Sequence, residues 1–328
     1  MTVPVVRDRV GQEVLRRLLN PIFEPKFHKS SFGFISGRNC HMAIEQLLEF
    51  HNREGLQVVL DADVCGFFDN IPHDIIMTLV AAEIADGNIL RLIEKFLKAG
   101  VMENGVFKPT TIGTPQGGVI SPLLANIVLN QLDWQLDAAG YRFARYADDF
   151  VVLCPTKNEA QEAMTLVKRI MEEDLRLTLS DEKTVITTYG KGYSFLGFKL
   201  SRRSATMRPK SLEKFKEKIR ALTVRKHNLD ADVVVKLNQV IRGTANYFSA
   251  SFSTCKWIFQ KLDSWIRMRL RCMKKKQKSR NDNYKLRVVY FRKNLGLLSM
   301  EEIFLKMHGR LTHETPRFYG AISIGVAQ

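Results

Sequence analysis

Two short segments carry carboxylates where an ordinary fold has little use for them. Asp61 and Asp63 interrupt the apolar, β-branched run LQVVLDADV at 56–64. A strand alternates its side chains, so both acids point to one face. A carboxylate taken out of water without a partner is costly, so such residues pair with a cation or bind a metal. The second segment is Asp148-Asp149, which breaks two β-rich runs, FARY and FVVLC. A turn at that point lets two consecutive side chains converge where a straight strand would send them apart. Eighty-five residues separate Asp63 from Asp148, so only the fold can join them. Joined, the three acids would hold two divalent ions, which activate a hydroxyl and stabilise phosphoryl oxygens. Hard oxygen ligands suit Mg²⁺, with Mn²⁺ as a substitute. Spacing alone leaves the bland readings open: a solvated Asp-Asp turn, and Asp61 or Asp63 bridged to a core arginine.

The elements that must position these residues are readable in outline. LQVVLDADV predicts a buried strand, and YRFARYADDFVVLC (141–154) predicts two strands around a tight turn. VGQEVLRRLLN (10–20) has helical periodicity, with Pro21 and Pro25 expected to stop it. FFDNIPHDIIMTLV holds a helix start with Asn70 or Asp69 as cap and Pro72 in the first turn. A helix is expected near 85–99, a hairpin or loop at GVFKPTTIGTPQGG (105–118), and a long helix at 119–136. LTLSDEKTVIT and YSFLGFKL predict short strands. From about 208 the pattern turns helical and basic, in SLEKFKEKIRALT, VVVKLNQVIRGTANYF and WIFQKLDSWIRMRLR. The fold class is therefore α+β followed by an all-α module.

Charge follows the same division. The net charge is +16. Residues 201–328 hold 29 Lys and Arg against 9 Asp and Glu, whereas 1–200 hold 21 against 25. A block this basic binds polyanions, through counterion release at each neutralised phosphate. The cluster RCMKKKQKSR (271–280), with Arg271, Lys274, Lys275 and Lys276, is its best nucleic-acid contact. Phe215, Tyr247, Phe248, Trp257 and Trp265 interleave with the basic residues, either as core or as base-stacking platforms. No run of eighteen apolar residues exists, so no membrane partner is expected. The N-terminus lacks the apolar stretch of a signal peptide. Five cysteines without a CxxC pair disfavour a disulfide framework and a zinc ribbon.

Taken in order, TVPVVRDRVGQEVLRRLLNPIFEPKF, SFGFISGRNCHMAIEQL, DADVCGFFDNIPHD, GTPQGGVISPLLANIVLNQLD, RYADDFVVL, LSDEKTVIT, FLGFKL and LNQVIRGTANYF form one succession. It resembles the bacterial group II intron-encoded reverse transcriptases, or maturases, from about residue 3 to at least 275. The resemblance implies a right-hand polymerase fold: fingers and palm over 1–200, a helical thumb or maturase domain over 201–280, and a basic segment over 281–328. It implies an RNA-directed DNA polymerase of the bacterial cytoplasm, acting on dNTPs, a DNA primer or target, and group II intron RNA or another structured RNA. By this resemblance Asp63, Asp148 and Asp149 are the metal ligands, joined by the backbone of Val64. Phe68 lies beneath the incoming sugar and disfavours a ribose 2′-hydroxyl. Gln116 contacts the nucleotide or nearby template, beside Gly117. Lys183 protonates the leaving pyrophosphate. Phe195, Leu196 and Gly197 support the primer end. Arg38, with Arg7 and Arg9, reaches for the triphosphate or template.

Some positions depart from the family pattern. Only Met1 and Thr2 precede Val3-Pro4, so part of the triphosphate grip and RNA anchor is expected to be missing, as in an N-terminally short form. Ile35 stands where an arginine is common, and Cys65 where a lysine is common. No cysteine-paired endonuclease module follows. The alternative readings are a polymerase-inactive splicing maturase and a related bacterial reverse transcriptase in phage defence. The maturase-like LNQVIRGTANYF argues against the second.

Overall fold

The computed structural model describes residues 5–103, 106–108, 110–114, 117–277 and 286–309. The chain divides after Arg203 into two compact units. In the first, α1 (Val6–Phe23) precedes α2 (Cys40–Arg53), β1 (Val58–Ala62), the four-residue α3 (Phe67–Asn70), α4 (His73–Ala81) and α5 (Gly87–Leu97). A small hairpin, β2 (Val101–Glu103) and β3 (Val106–Lys108), leads to α6 (Ser121–Ala138). Then come β4 (Arg142–Tyr146), β5 (Asp149–Cys154), α7 (Lys157–Lys168) with a π-helical turn at Arg169–Asp174, β6 (Val185–Thr188), β7 (Tyr193–Phe195) and β8 (Phe198–Ser201).

The central sheet has the order β4-β5-β1-β6, every pair antiparallel. Val58, Val59, Leu60 and Ala62 of β1 and Phe150 to Cys154 of β5 are buried, as an apolar run between two helical layers requires. Helix α6 buries residues around most of its circumference and runs through the core with α7 and α4. Helix α2 is capped by Asn39, whose side chain accepts from the His41 and Met42 backbone N–H groups.

Two boundaries differ from the sequence expectation. Helix α1 does not stop at Pro21 but continues to Phe23. The proline removes only its own hydrogen bond and strains one turn, while Leu19 and Phe23 stay buried and hold the helix end. Neither Asn70 nor Asp69 caps α4. Pro72 itself occupies the N-cap without a side-chain bond. Asn70 instead donates back to the Cys65 and Gly66 carbonyls, closing α3 on itself.

The second unit opens with β9 (Ser204–Met207) and is otherwise helical: α8 (Pro209–Leu222), α9 (Ala231–Phe248), α10 (Lys256–Lys275), a π-helical turn at Tyr290–Asn294, and α11 (Met300–Met307). The described residues beyond 281 pack with the same helices. The buried Asp263 of α10 accepts from Ser299 Oγ at 2.6 Å and Met300 N at 2.9 Å, so α11 starts on its carboxylate. No helix among the described residues is long and apolar enough to cross a membrane.

Candidate active site

Asp63 lies one residue beyond β1, and Asp149 is the first residue of β5, its sheet neighbour. The register pairs Asp61 with Val151 and Ala62 with Phe150, so the next position along β1 brings Asp63 to the level of Asp149. Tyr146 pairs with Asp149, which leaves Ala147-Asp148 as a two-residue turn. The sheet thus delivers Asp63, Asp148 and Asp149 to one edge. Burial raises the pKa of Asp148, and the negative charge of Asp63 pushes it the same way. A half-buried carboxylate beside a second one is a site of unmet negative charge.

The neighbouring segment supplies one cation. Lys183 Nζ sits 2.8 Å from Asp63 Oδ2, and this hydrogen bond raises the lysine pKa. The segment is held by main chain: Ser180 N donates to Asp63 O and Cys65 N to Thr178 O. Val64, between them, faces Leu179 in a bridge whose bonds belong to its neighbours. By the alternation of an antiparallel ladder, the Val64 carbonyl points the other way, toward the β5 side. The charge of Asp61, two residues back along the strand, acts on the buried Tyr193.

Among the described residues, no three Asp, Glu, His or Cys side chains gather tightly enough to cage a metal ion. The donor set nonetheless fits a hard cation of the Mg²⁺ kind. That ion takes one or two carboxylates and keeps waters and substrate phosphates as its remaining ligands. Asp63, Asp148, Asp149 and the Val64 carbonyl are the groups that would hold it.

Phe68 sits half-buried on α3, edge-on to Phe67 with ring centroids 5.3 Å apart. The segment that follows β3 is clamped to it. Thr114 N donates to Phe68 O at 2.7 Å, Gly113 N to Ile71 O at 2.8 Å, and His73 Nε2 lies 2.6 Å from Gly113 O. Gly113 has φ +84°, and a Cβ there would lie 2.5 Å from Asp69 O. The chain therefore reaches Gly117 from a fixed point beside Phe68. Gly117 is exposed, and Gln116 lies outside the described residues.

The remaining candidates disperse. Phe195 and Phe198 are buried, while Leu196 and Gly197 both have positive φ and form the two-residue tip of the β7–β8 hairpin. Arg38 Nη1 donates to the carbonyls of His28 and Ser31, each at 2.6 Å, so this guanidinium braces its own loop. Arg7 and Arg9 are exposed on α1. In the second unit, Arg271 donates twice to Leu286 O, and Lys276 donates to the carbonyls of Lys226 and His227. Lys274 stands over the Tyr290 ring, and Lys275 ends α10. Phe215 and Phe248 are core. Trp257 is 62% exposed with Lys261 Nζ 3.4 Å above its ring.

The succession of elements matches known proteins. The family model for reverse transcriptase (RNA-dependent DNA polymerase) matches residues 1–200, and that for the group II intron maturase-specific domain matches 212–291. The chain belongs to the reverse transcriptase family. Its pairing of that domain with a maturase-specific one is the arrangement of group II intron reverse transcriptases. Protein YkfC of Escherichia coli is 32% identical over 240 residues, covering 61% of this chain and 62% of that protein. The group II intron-encoded protein LtrA of Lactococcus lactis is 30% identical over 273 residues, covering 63% of this chain and 45% of LtrA. The chain thus spans less than two thirds of the length of these relatives. An apo telomerase structure from Candida tropicalis superposes with a TM-score of 0.50 at 11% identity, covering 94% of this chain and 55% of that one. The likeness is one of fold.

Sequence reasoning missed the group that holds the turn in place. Arg145 is fully buried and ion-paired to Asp133 on α6. The available signal was the polar stripe Asn126, Asn130, Asp133 and Asp137 within a largely apolar helix.

Proposed function

We propose that the chain is an RNA-directed DNA polymerase that extends a primer 3′ end with deoxynucleotides and binds group II intron RNA. The observation that carries this reading is the half-buried Asp148 carboxylate beside Asp63, on a sheet edge shared with Asp149. When bound there, divalent ions, Mg²⁺ foremost, supply activation of the primer hydroxyl and charge neutralisation on the triphosphate. Asp63, Asp148, Asp149 and the Val64 carbonyl hold them. Phe68, wedged against Phe67 and tied by its carbonyl to Thr114, presents a rigid ring under the incoming sugar and excludes a 2′-hydroxyl. Lys183, paired with Asp63 at rest, gives its ammonium proton to the leaving pyrophosphate oxygen and is reprotonated from solvent. Gly117 lets the template or nucleotide approach the backbone, with Gln116 beside it. The Phe195–Phe198 hairpin supports the primer end. The basic second unit takes the phosphates of structured RNA.

A second reading, an RNA-binding splicing factor without polymerase activity, draws on the maturase-specific match at 212–291. Primer extension on poly(rA)/oligo(dT) with Mg²⁺, run beside an intron splicing assay, separates the two. The polymerase reading expects DNA synthesis from wild type and none from Asp148→Ala. Splicing without synthesis by wild type would establish the second reading instead.

A further inference from the structure

The turn that presents Asp148 is strained and is held from two sides. Ala147 has φ +57°, in the left-handed region that a residue with a Cβ rarely adopts. Such a conformation persists only where the surroundings over-determine it. On one side, Gly33 is pressed so close that a Cβ there would lie 2.3 Å from Ala147 N. On the other, Arg145 Nη1 donates to Ala147 O at 2.9 Å. That carbonyl belongs to the peptide leading into Asp148.

Arg145 is itself locked. Its Nε and Nη2 meet the two Asp133 oxygens at 2.8 and 2.5 Å, a bidentate fork between fully buried side chains. Its Nη1 also donates to Asn126 Oδ1 at 2.9 Å, and Asn126 Nδ2 donates to Gly33 O at 2.8 Å. Its main chain completes the ring: Phe32 N donates to Arg145 O at 2.8 Å, and Arg145 N donates to Ser30 O at 2.9 Å. Helix α6, the loop 30–33 and the catalytic turn are therefore joined through one guanidinium. Stability does not explain this group, since well-packed apolar side chains often replace a buried ion pair without loss. Geometry does: a planar fork fixes direction as well as distance.

We propose that Arg145, oriented by Asp133 and Asn126, is the positioning residue for the Ala147–Asp148 peptide and hence for the metal-binding carboxylate. This rests on the polymerase reading above. The inference predicts that the network sets turnover and metal affinity without touching substrate.

Arg145→Lys keeps a charge but loses the fork. Asn126→Ala leaves the Arg145–Asp133 pair intact and removes the Asn126 bonds to Arg145 Nη1 and to Gly33 O. Val128→Ala, at a fully buried apolar position of the same helix, is the control for weakened packing. The full chain is assayed for single-turnover primer extension, dNTP KM, primer–template Kd, Tm, and Mn²⁺ binding by electron paramagnetic resonance. Both network variants should lose about tenfold to a hundredfold in rate, as for small misplacements of reacting groups. Mn²⁺ binding should weaken, with KM and Kd unchanged. Val128→Ala should lose Tm yet keep rate and Mn²⁺ affinity. If Arg145→Lys does not fold, Asn126→Ala carries the test alone. Wild-type rate and Mn²⁺ affinity in Asn126→Ala, or equal losses in Val128→Ala, overturn the proposal. A wild type that extends no primer refutes the polymerase reading, and Mn²⁺ binding across the variants still decides the positioning role.

Discussion

Asp148 is a residue whose placement works against the fold it belongs to. Burial and the Asp63 charge raise its pKa, so the folded protein favours its protonated form more than the unfolded chain does. The native state then binds more protons between the two pKa values, and stability falls as pH rises through them. Asp148→Asn removes that penalty. In EDTA its Tm should exceed that of wild type at pH 7, and the gap should close as pH drops into the carboxylate range. Primer extension by the same variant should fall by at least roughly 10³-fold, since metal-based charge stabilisation is worth several kcal/mol. A gain in stability with a loss of function marks a site residue rather than a solvated turn. Phe68→Ala makes the complementary case: incorporation of ribonucleotides relative to deoxynucleotides should rise by about 10- to 100-fold, the range a shape-selective pocket commands. Competing-nucleotide primer extension reads this directly. The aspartates were legible in the sequence because acids in apolar runs are anomalous. Arg145 was not, because its partner Asp133 lies on α6, across a turn, and Arg-Tyr-Ala-Asp-Asp reads equally well as a surface arginine.

At the scale of elements, strands were predicted by alternation and helices by period, and most of them are found. Where the reading failed, a tertiary contact outweighed a local rule. Helix α1 passes Pro21 because Phe23 is buried beyond it. The loop after β3 could not be placed from its Gly-Pro-Gly composition, yet it is pinned to α3 and α4 by Thr114, Gly113 and His73. Gly113 is the point at which this pinning tolerates no side chain. Gly113→Ala should destabilise by more than the roughly 1 kcal/mol ordinary for the exchange, because φ is positive and Asp69 O stands in the way. Thermal unfolding measures the loss. The dNTP KM should rise in parallel, because the displaced segment leads to Gln116 and Gly117.

For the whole molecule, the division of charge matters more than its sum. Residues 201–328 carry 29 basic against 9 acidic side chains, and residues 212–291 within this part match the maturase-specific domain. The structure shows what several of these cations touch. Arg271 and Lys276 hold main-chain carbonyls, Lys274 lies over the Tyr290 ring, and Lys274 and Lys275 belong to the last turn of α10. Lys274→Gln/Lys275→Gln should weaken binding of structured RNA. It should also flatten the plot of log K against log salt by about 0.7–0.9 for each phosphate no longer neutralised. Arg271→Gln should instead act mainly on Tm, since its guanidinium holds the Leu286 carbonyl. A filter-binding salt series beside thermal melts separates the two.

Composition, periodicity and the order of motifs were enough to establish an α+β body, a basic helical module and three candidate metal-binding acids. These properties are local, or are written as a succession along the chain. Which groups meet was decided only by the tertiary structure. Antiparallel pairing of β1 with β5 brings Asp63 to the Asp148–Asp149 turn across eighty-five residues. The same folding turns Arg38 into a loop brace and places Arg145 beneath the turn. Hydrogen bonds and ion pairs act over a few ångströms, so the role of an arginine depends on what the fold sets beside it, and sequence separation carries no record of that.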